Sequence, residues 1–400
     1  MPLKKMKESI LKMSHNFRRK ICIVLTTRGN YAKMKSTLLR IQENSELELQ
    51  VILSGALATE GYTQYKLILE KLGIYNIHIV EYLINGASTK GDMLESGALA
   101  TGAIGKSLMM LSPDIVVVIA DRYEALSVAF AATCLNIPIA HLEGGEVSGS
   151  IDERIRHAIT KLSHLHFVSN TYAARRVFKL GEKKESIYIV GNPSIDLIRN
   201  CDTGAVDVLF DYQKDNGEGF VDYNEKYLVV SQHSVVSELT DTARQINETM
   251  KVVKSLALPT VWMLPNPDAG CGEIESALFR FAENSNPGNI VFYKSMPFEL
   301  YALLLSNSLC LIGNSSSGIR ECEYLGVPVV NIGSRQNGRE RGENVVDVNY
   351  DAEKIEEAVR KQIQHGFYQT NYIYGRGDAA ENISRILAST EIILNKEIRY

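Results

Sequence analysis

The sequence predicts an α/β protein of two Rossmann-like domains, each built on a parallel sheet. Three observations lead there. From Lys20 onward, short β-branched runs alternate with longer stretches of helical period, the pattern of βα units wound into a parallel sheet. Runs such as Ile115 to Ile119 are continuously apolar, as strands are when helices cover both faces. The 400 residues, 45% hydrophobic and 22% charged, suggest two or three domains of ordinary globular composition.

In the first half, strands are expected at Ile21 to Thr26, Gln50 to Ser54, Ile77 to Glu81, Asp114 to Ala120, Ile137 to His141, Leu165 to Ser169 and Ile187 to Val190. A polar, glycine-dotted stretch without clear period, Asp202 to Asn224, follows Gly191-Asn192-Pro193 and marks a boundary. Strands resume at Tyr227 to Ser231, Thr260 to Leu264, Asn289 to Phe292, Leu309 to Ile312, Val327 to Asn331 and Val345 to Val348. A last helical segment, Asp378 to Asn395, has no strand after it. The expected division is a basic extension at 1–19, an N-terminal domain at 20–198, a C-terminal domain at 199–377 and a closing helix at 378–400. Ligands of open α/β sheets bind at the carboxyl ends of strands, so the cleft between the domains is the expected site.

Composition excludes several classes. With 43 Lys and Arg against 47 Asp and Glu, the chain lacks the bulk positive charge of a nucleic-acid binder. No apolar run approaches the roughly 20 residues that a membrane helix needs. The six cysteines form no CxxC pair and read as free thiols in a reducing compartment, so a cytoplasmic location is expected. The first 20 residues are basic but lack the apolar core of a secretory signal. His164 and His166 lack a third ligand nearby in sequence, so no metal is expected. Gly102 to Ser107 resembles the end of a P-loop, yet Ala100 stands where the first glycine is required. No GxGxxG follows the first strand, and Gly313 to Gly318 has the wrong glycine spacing for a hydrolase elbow. No cofactor is expected.

The densest polar stretch runs from His141 to His157 and begins at a strand's carboxyl end. Its glycines allow close approach to a ligand, and Glu143, Glu146, Asp152 and Glu153 converge on that edge. Two plainer roles stand beside this one: Asp152 or Ser150 can cap the helix that begins there, and Glu146 can pair with an arginine. Asp121, followed by Arg122, ends the most apolar strand. It can cap the next helix, or act as a partly desolvated acid that forms a proton-transferring pair with Glu143. In the second half, Gly313-Asn314-Ser315-Ser316-Ser317-Gly318 leads into a helix carrying Arg320 and Glu321. Such a turn offers backbone N–H groups, hydroxyls and a helix dipole to a phosphate. His233 and Arg335, at the ends of other strands, join it. His233 can donate to a phosphate oxygen, protonate a leaving group, or simply lie at the surface. The chemistry implied is departure of a diphosphate from a sugar nucleotide.

On these residues the chain resembles the hydrolysing UDP-N-acetylglucosamine 2-epimerases of sialic-acid and legionaminic-acid synthesis. The resemblance is carried by HLEGGEVSGSIDERIRHAITKLS at His141 to Ser163, Asp121-Arg122-Tyr123-Glu124, Gly191-Asn192-Pro193-Ser194, Ser231-Gln232-His233, Pro265-Asn266-Pro267-Asp268, GNSSSGIRE at Gly313 to Glu321 and NIGSRQNGRERGENV at Asn331 to Val345. It implies a glycosyltransferase-B-like fold and a homodimer or homotetramer. It makes Asp121, Glu143 and Asp152 the acid/base and sugar-positioning groups. His233, Ser315, Ser316 and Arg335 become diphosphate contacts, and Glu321 the ribose-hydroxyl acceptor. Arg28, Arg122, Asn266, Ser317 and Gly318 complete the expected substrate-binding set. The chain departs from the family at Arg28-Gly29-Asn30-Tyr31, where an acid usually precedes the tyrosine. The implied reaction takes UDP-GlcNAc and water to ManNAc and UDP through a 2-acetamidoglucal. The alternatives are the same chemistry on a 6-deoxy-2,4-diacetamido sugar nucleotide, a non-hydrolysing epimerase, a glycosyltransferase of the same fold and a non-catalytic nucleotide-sugar sensor.

Overall fold

The computed structural model describes residues 18–59, 62–84, 89–119, 122–148, 151–265, 270–285 and 289–397. The basic extension therefore lies outside the described residues, except Arg18 and Arg19. Two seven-stranded sheets form the molecule. The first contains β1 (Arg19–Leu25), β2 (Leu47–Ser54), β3 (Ile77–Val80), β4 (Ile115–Ile119), β5 (Ile139–Leu142), β6 (Leu165–Val168) and β7 (Ile187–Ile189), all parallel, in the order β3-β2-β1-β4-β5-β6-β7. Its helices are α1 (Arg28–Glu43), α2 (Ala56–Thr59), α3 (Tyr62–Lys71), α4 (Lys90–Leu111), α5 (Tyr123–Cys134), α6 (Ile151–Leu162) and α7 (Thr171–Lys179). The strand order reverses between β1 and β4, which opens a crevice at their carboxyl ends.

The elements form for local reasons. The Thr27 side chain accepts from the Asn30 N–H and starts α1, whose Met34, Leu38 and Ile41 then recur on one buried face. A reciprocal capping box between Thr89 and Asp92 starts α4, and Ser112 in the left-handed region ends it. Residues Ile115 to Ile119 are buried on both faces, as their continuous apolar character requires.

Next in the chain come α8 (Pro193–Arg199) and α9 (Asp207–Asn216). Then follow β8 (Glu218–Gly219), β9 (Leu228–Ser231), α10 (Thr242–Leu256), β10 (Thr260–Met263), α11 (Cys271–Ser285), β11 (Ile290–Tyr293), α12 (Phe298–Ser306), β12 (Cys310–Gly313), α13 (Glu321–Leu325), β13 (Val329–Ile332), β14 (Val345–Val348), α14 (Ala352–His365) and α15 (Ala379–Ser389). The sheet order is β14-β13-β12-β9-β10-β11-β8, with only β8 antiparallel. The Asp202 to Asn224 stretch, which shows no clear period in the sequence, contains α9 and β8. Its helix buries only Leu209 and Gln213, too few apolar positions to register as a period.

The chain crosses between domains twice, and the crossings touch. The Asn192 N–H donates to the Tyr374 carbonyl at 2.7 Å. Gly191 (φ +86°) packs on Gly375 (φ +111°) so closely that a Cβ on Gly375 would lie 2.8 Å from the Gly191 Cα. After the second crossing, α15 returns to the first domain. Ile383, Ile386 and Leu387 enter its core beside Met34 and Leu38, and Asp196 accepts from the Ala379 and Ala380 N–H groups at 3.1 and 2.7 Å. Burial pushes the Asp196 carboxyl up to about 6, against those two bonds.

Beyond α15 the chain is extended and fastened to the amino-terminal edge of the first sheet. Lys396 and Lys161 each donate to Glu182 at 2.7 Å, and His166 lies 3.0 Å from it. Burial alone raises the Glu182 pKa, but these donors outweigh it and hold the carboxyl at about 2. A pKa below the ordinary 4.5 means that the stabilisation is fully present above pH 4.5 and is lost as pH falls towards about 2. Glu182→Gln is expected to cost about 1–2 kcal/mol near neutrality, because Lys161 and Lys396 lose their counter-charge while remaining partly in water. Chemical denaturation across pH 7 to pH 2.5 checks this: the gap between variant and parent should close with acidity, and a pH-independent gap would refute it.

Candidate active site in the interdomain cleft

Glu143 follows directly on β5, and its N–H continues the ladder to the Phe167 carbonyl at 3.1 Å. Its φ of +67° is a left-handed conformation that costs free energy in a residue with a Cβ. The carboxylate is thereby turned into the cleft, where it is 5% exposed. Lys33 Nζ donates to Oε2 at 2.9 Å, while Arg320 Nη1 and Asn192 Nδ2 donate to Oε1 at 2.8 and 2.9 Å. Burial pushes the Glu143 pKa up, but the charges of Lys33 and Arg320 overcome it and leave the group well below the ordinary carboxylate range. Burial also lowers the Lys33 pKa, with Glu143 opposing and Arg320 adding to the decrease.

The loop after Glu143 is held from both sides. Gly145 (φ +77°) lies against α7, where a Cβ would come 2.3 Å from the Ala173 carbonyl oxygen. Buried Arg156 donates to the Glu146 carbonyl at 2.6 Å and to Ser148 Oγ at 3.2 Å. The Ser148 N–H donates to Glu153 at 3.0 Å. Glu146 accepts from Ser169 at 3.0 Å and lies 3.8 Å from both Arg320 and Arg339. Of the roles open to Glu146 in the sequence, pairing with arginine is the one realised in the structure.

The facing wall comes from three neighbouring strands of the second sheet, β13, β12 and β9. Gly313 (φ +132°) lets β12 turn where a Cβ would lie 2.1 Å from the Ser231 carbonyl oxygen. Asn314 then brackets His233, accepting from its N–H at 2.7 Å and donating to its carbonyl at 2.8 Å. Arg335 donates to the Asn314 carbonyl at 3.1 Å. Ser315, Ser316 and Ser317 are half-buried in a single 3₁₀ turn, with Ser315 as its cap. The helix expected to follow is only the five-residue α13, so side-chain hydroxyls, His233 and Arg335 are left as the principal anion-binding groups rather than a long helix dipole. Burial and then Arg335 push His233 down to about 3, so the imidazole is neutral near pH 7 and offers a hydrogen bond rather than charge. Glu321 is 4% exposed, and its Oε2 is buried without a hydrogen-bond partner, a free acceptor beside the serine turn.

Arg320 links the two walls. It is 3% exposed, donates to Ser316 Oγ at 3.1 Å through Nη2, and reaches Glu143 through Nη1. The domains are joined further by Arg176 with Glu340, Lys35 with Glu299, and Arg339 donating to the Val147 carbonyl at 3.0 Å.

A carboxylate-bearing wall facing a serine, histidine and arginine wall suits a nucleotide sugar, and the comparisons agree at family level. A family model described as UDP-N-acetylglucosamine 2-epimerase matches residues 39–388. A UDP-N,N'-diacetylbacillosamine 2-epimerase (hydrolyzing) of Legionella pneumophila is 32% identical over 383 residues, spanning 94% of this chain and 98% of that protein. The chain belongs to the UDP-N-acetylglucosamine 2-epimerase family. A UDP-N-acetylglucosamine 2-epimerase of Neisseria meningitidis is 27% identical over 379 residues, 95% of this chain and 96% of that one. The crystal structure of the UDP-GlcNAc 2-epimerase from Neisseria meningitidis bound to UDP-GlcNAc superposes with a TM-score of 0.77, covering 93% of this chain and all of that one. At 17% structure-aligned identity that likeness speaks for the fold, two Rossmann-like domains of glycosyltransferase-B type.

In this member of the 2-epimerase family, the expected site residues fall as follows. Glu143, His233, Ser315, Ser316, Ser317, Gly318, Glu321 and Arg335 line or support the cleft described above. Asp152 is half-buried in the first turn of α6, as its second residue rather than its cap. Arg28 is exposed on the first turn of α1. Arg122 is directed to Glu124 at 3.2 Å and occupies the N-cap position of α5. Asp121 and Asn266 lie outside the described residues. Sequence reasoning missed Lys33 and passed over Arg320 as part of a helix. The signal for Lys33 was weak: it is a single lysine five positions after Arg28, outside every motif quoted from the sequence. His164 and His166 go to the tail cluster, with His164 accepting from the Ile139 N–H at 3.2 Å.

Proposed function

We propose that this chain is a hydrolysing UDP-sugar 2-epimerase that converts UDP-GlcNAc and water to ManNAc and UDP, for sialic-acid biosynthesis. The observation that carries the reading is the single guanidinium of Arg320 joining the ionised Glu143 to the serine turn, so that a base and a leaving-group cradle share one cleft. The diphosphate lies against Ser315, Ser316, His233 and Arg335, and the ribose hydroxyls meet the free oxygen of Glu321. UDP departs with the C1–O electrons, and the C2 proton is lost to a carboxylate of the first domain, giving a 2-acetamidoglucal. Water then adds at C1 while a proton returns to C2 from the opposite face. Donors aimed at the departing phosphate lower the barrier because charge develops there. Glu143 and Asp121 share proton transfer, Glu143 entering in its ionised form, and Asp152 orients the sugar or water.

Asn30 supports a second substrate, a UDP-2,4-diacetamido-2,4,6-trideoxy sugar. Where the family usually carries an acid, the Asn30 oxygen is taken by the Thr26 hydroxyl at 2.7 Å, which leaves a neutral wall at the end of β1. The Legionella relative is named for such a sugar. Presenting each sugar nucleotide in heavy water separates the readings. The preferred substrate should release UDP mole for mole with a free 2-epimeric sugar that carries deuterium at C2. Recovery of an epimeric nucleotide sugar would point to the non-hydrolysing reaction, and a requirement for an acceptor to a glycosyltransferase. Either result would overturn the reading.

A further inference from the structure

Helix α6 stands between the loop that carries Glu143 and the tail of the chain. Asp152, Arg156 and Thr160 follow one another at intervals of four, so each is turned only about 40° from the last and the three share one face. Asp152 lies in the first turn. Arg156 holds the Glu146 carbonyl and Ser148 Oγ. In the last turn, Thr160 Oγ1 lies 3.2 Å from Nδ1 of His141 on β5, and both residues are fully buried. Gly144 rests on that pair: a Cβ there would come 3.1 Å from His141 Nδ1 and 3.3 Å from Thr160 Oγ1. Glu143 directly precedes this glycine, and its φ of +67°, which its own Cβ disfavours, has to be held by its surroundings.

The far end of α6 is fixed by the tail. Lys396 Nζ donates to the Lys161 carbonyl at 2.8 Å, to the Thr160 carbonyl at 3.4 Å and to the Ser163 carbonyl, besides meeting Glu182 at 2.7 Å. Carbonyls at a helix C-terminus lack intrahelical donors and carry the negative end of the dipole, so an ammonium suits them. The Leu394 carbonyl lies 3.2 Å from His164 Nε2 and ties the tail a second time. An ion pair with Glu182 is enough to fasten a tail. The carbonyl contacts add something else, because they grip the very turn that carries Thr160. We propose that Lys396 is a positioning residue for the 2-epimerase reaction: by fixing the last turn of α6 it sets Thr160 against His141 and Gly144, and through them keeps Glu143 turned into the cleft. This rests on the reading of Glu143 as a proton-transfer group.

The test is steady-state UDP release by the full chain with its preferred sugar nucleotide. Lys396→Met removes the donors and nearly keeps the length of the side chain. It should lower kcat about tenfold, as a small misplacement of a reacting group does, while KM and UDP affinity stay within about twofold of the parent. The diphosphate wall belongs to the other domain and is untouched. Thr160→Val, which keeps the shape and loses the hydroxyl, should act in the same way. The double variant should fall no more than about twofold below the lower single variant, since both changes break one chain of contacts. Should Lys396→Met not fold, Lys396→Gln takes its place with the same expectation at smaller size. Parental kcat in the Lys396 variants would overturn the proposal, as would a rise in KM equal to the fall in kcat, or losses that multiply in the double variant. Glu143→Gln in the same assay separates the two levels. If it loses turnover while the Lys396 variants keep theirs, the positioning role alone falls. If it turns over at the parental rate, the proton-transfer reading falls and takes the positioning role with it.

Discussion

Glu143→Gln is expected to lower turnover by about a hundred- to ten-thousand-fold, the range for losing a positioned proton-transfer group. The amide keeps the size of the side chain but presents no anion to Lys33 and Arg320, which lie 2.9 and 2.8 Å away. A second effect follows, a loss of roughly 3 kcal/mol of stability from buried cations left without their counter-charge. UDP binding should persist, since the serine turn, His233 and Arg335 lie on the other wall. UDP release, UDP affinity and denaturant unfolding measured on one preparation separate these effects, and near-parental turnover would remove Glu143 from proton transfer. The parent pH profile adds a check. Because the Glu143 pKa is lowered, the group remains ionised across pH 5 to 8, so an acid limb of kcat/KM in that window belongs to another group.

Arg320→Met is expected to be the most damaging single change outside the carboxylates. It strips the cation from Glu143 and from the neighbourhood of Glu146, both buried, at a cost of about 3–5 kcal/mol. It also cuts the link between the serine turn and Glu143, so kcat should fall and KM for the nucleotide sugar should rise together. Arg320→Lys separates the two roles. An ammonium supplies the charge but cannot bridge Ser316 and Glu143 with a planar fork. That variant should recover most of the stability while turnover stays depressed about 10- to 100-fold. Equal stability loss in both variants would mean that geometry, not charge, holds this part of the cleft.

These two residues show where the sequence was legible. Glu143 stands in a dense polar run at a strand's carboxyl end, next to glycines, so local pattern was enough to single it out. Its ionisation state was not visible there. A strand-tip acid reads as desolvated and therefore high in pKa, whereas Lys33 and Arg320 reverse the sign. Arg320 is 177 positions away in the chain, and no periodicity or spacing connects it to Glu143. The serine turn was legible as an anion site, but the length of the helix behind it was overread, because Gly326 in the left-handed region ends α13 after five residues. The return of α15 to the first domain was equally hidden, since a terminal amphipathic helix does not announce which core its apolar face will join.

The sequence by itself determined the two parallel sheets, the position of nearly every strand to within two or three residues, and the two clusters of polar residues that line the cleft. Alternation of apolar runs and helical period is a local property, written in neighbouring residues and enforced by burial of each element's own face. Only the tertiary structure decided which charges meet across the cleft, that Glu143 is held ionised while His233 is held neutral, and that Glu182 gathers His166, Lys161 and Lys396. Those outcomes depend on desolvation and on Coulomb terms between residues far apart in the chain. Both vary steeply with distance and burial, and neither is specified by spacing along the sequence.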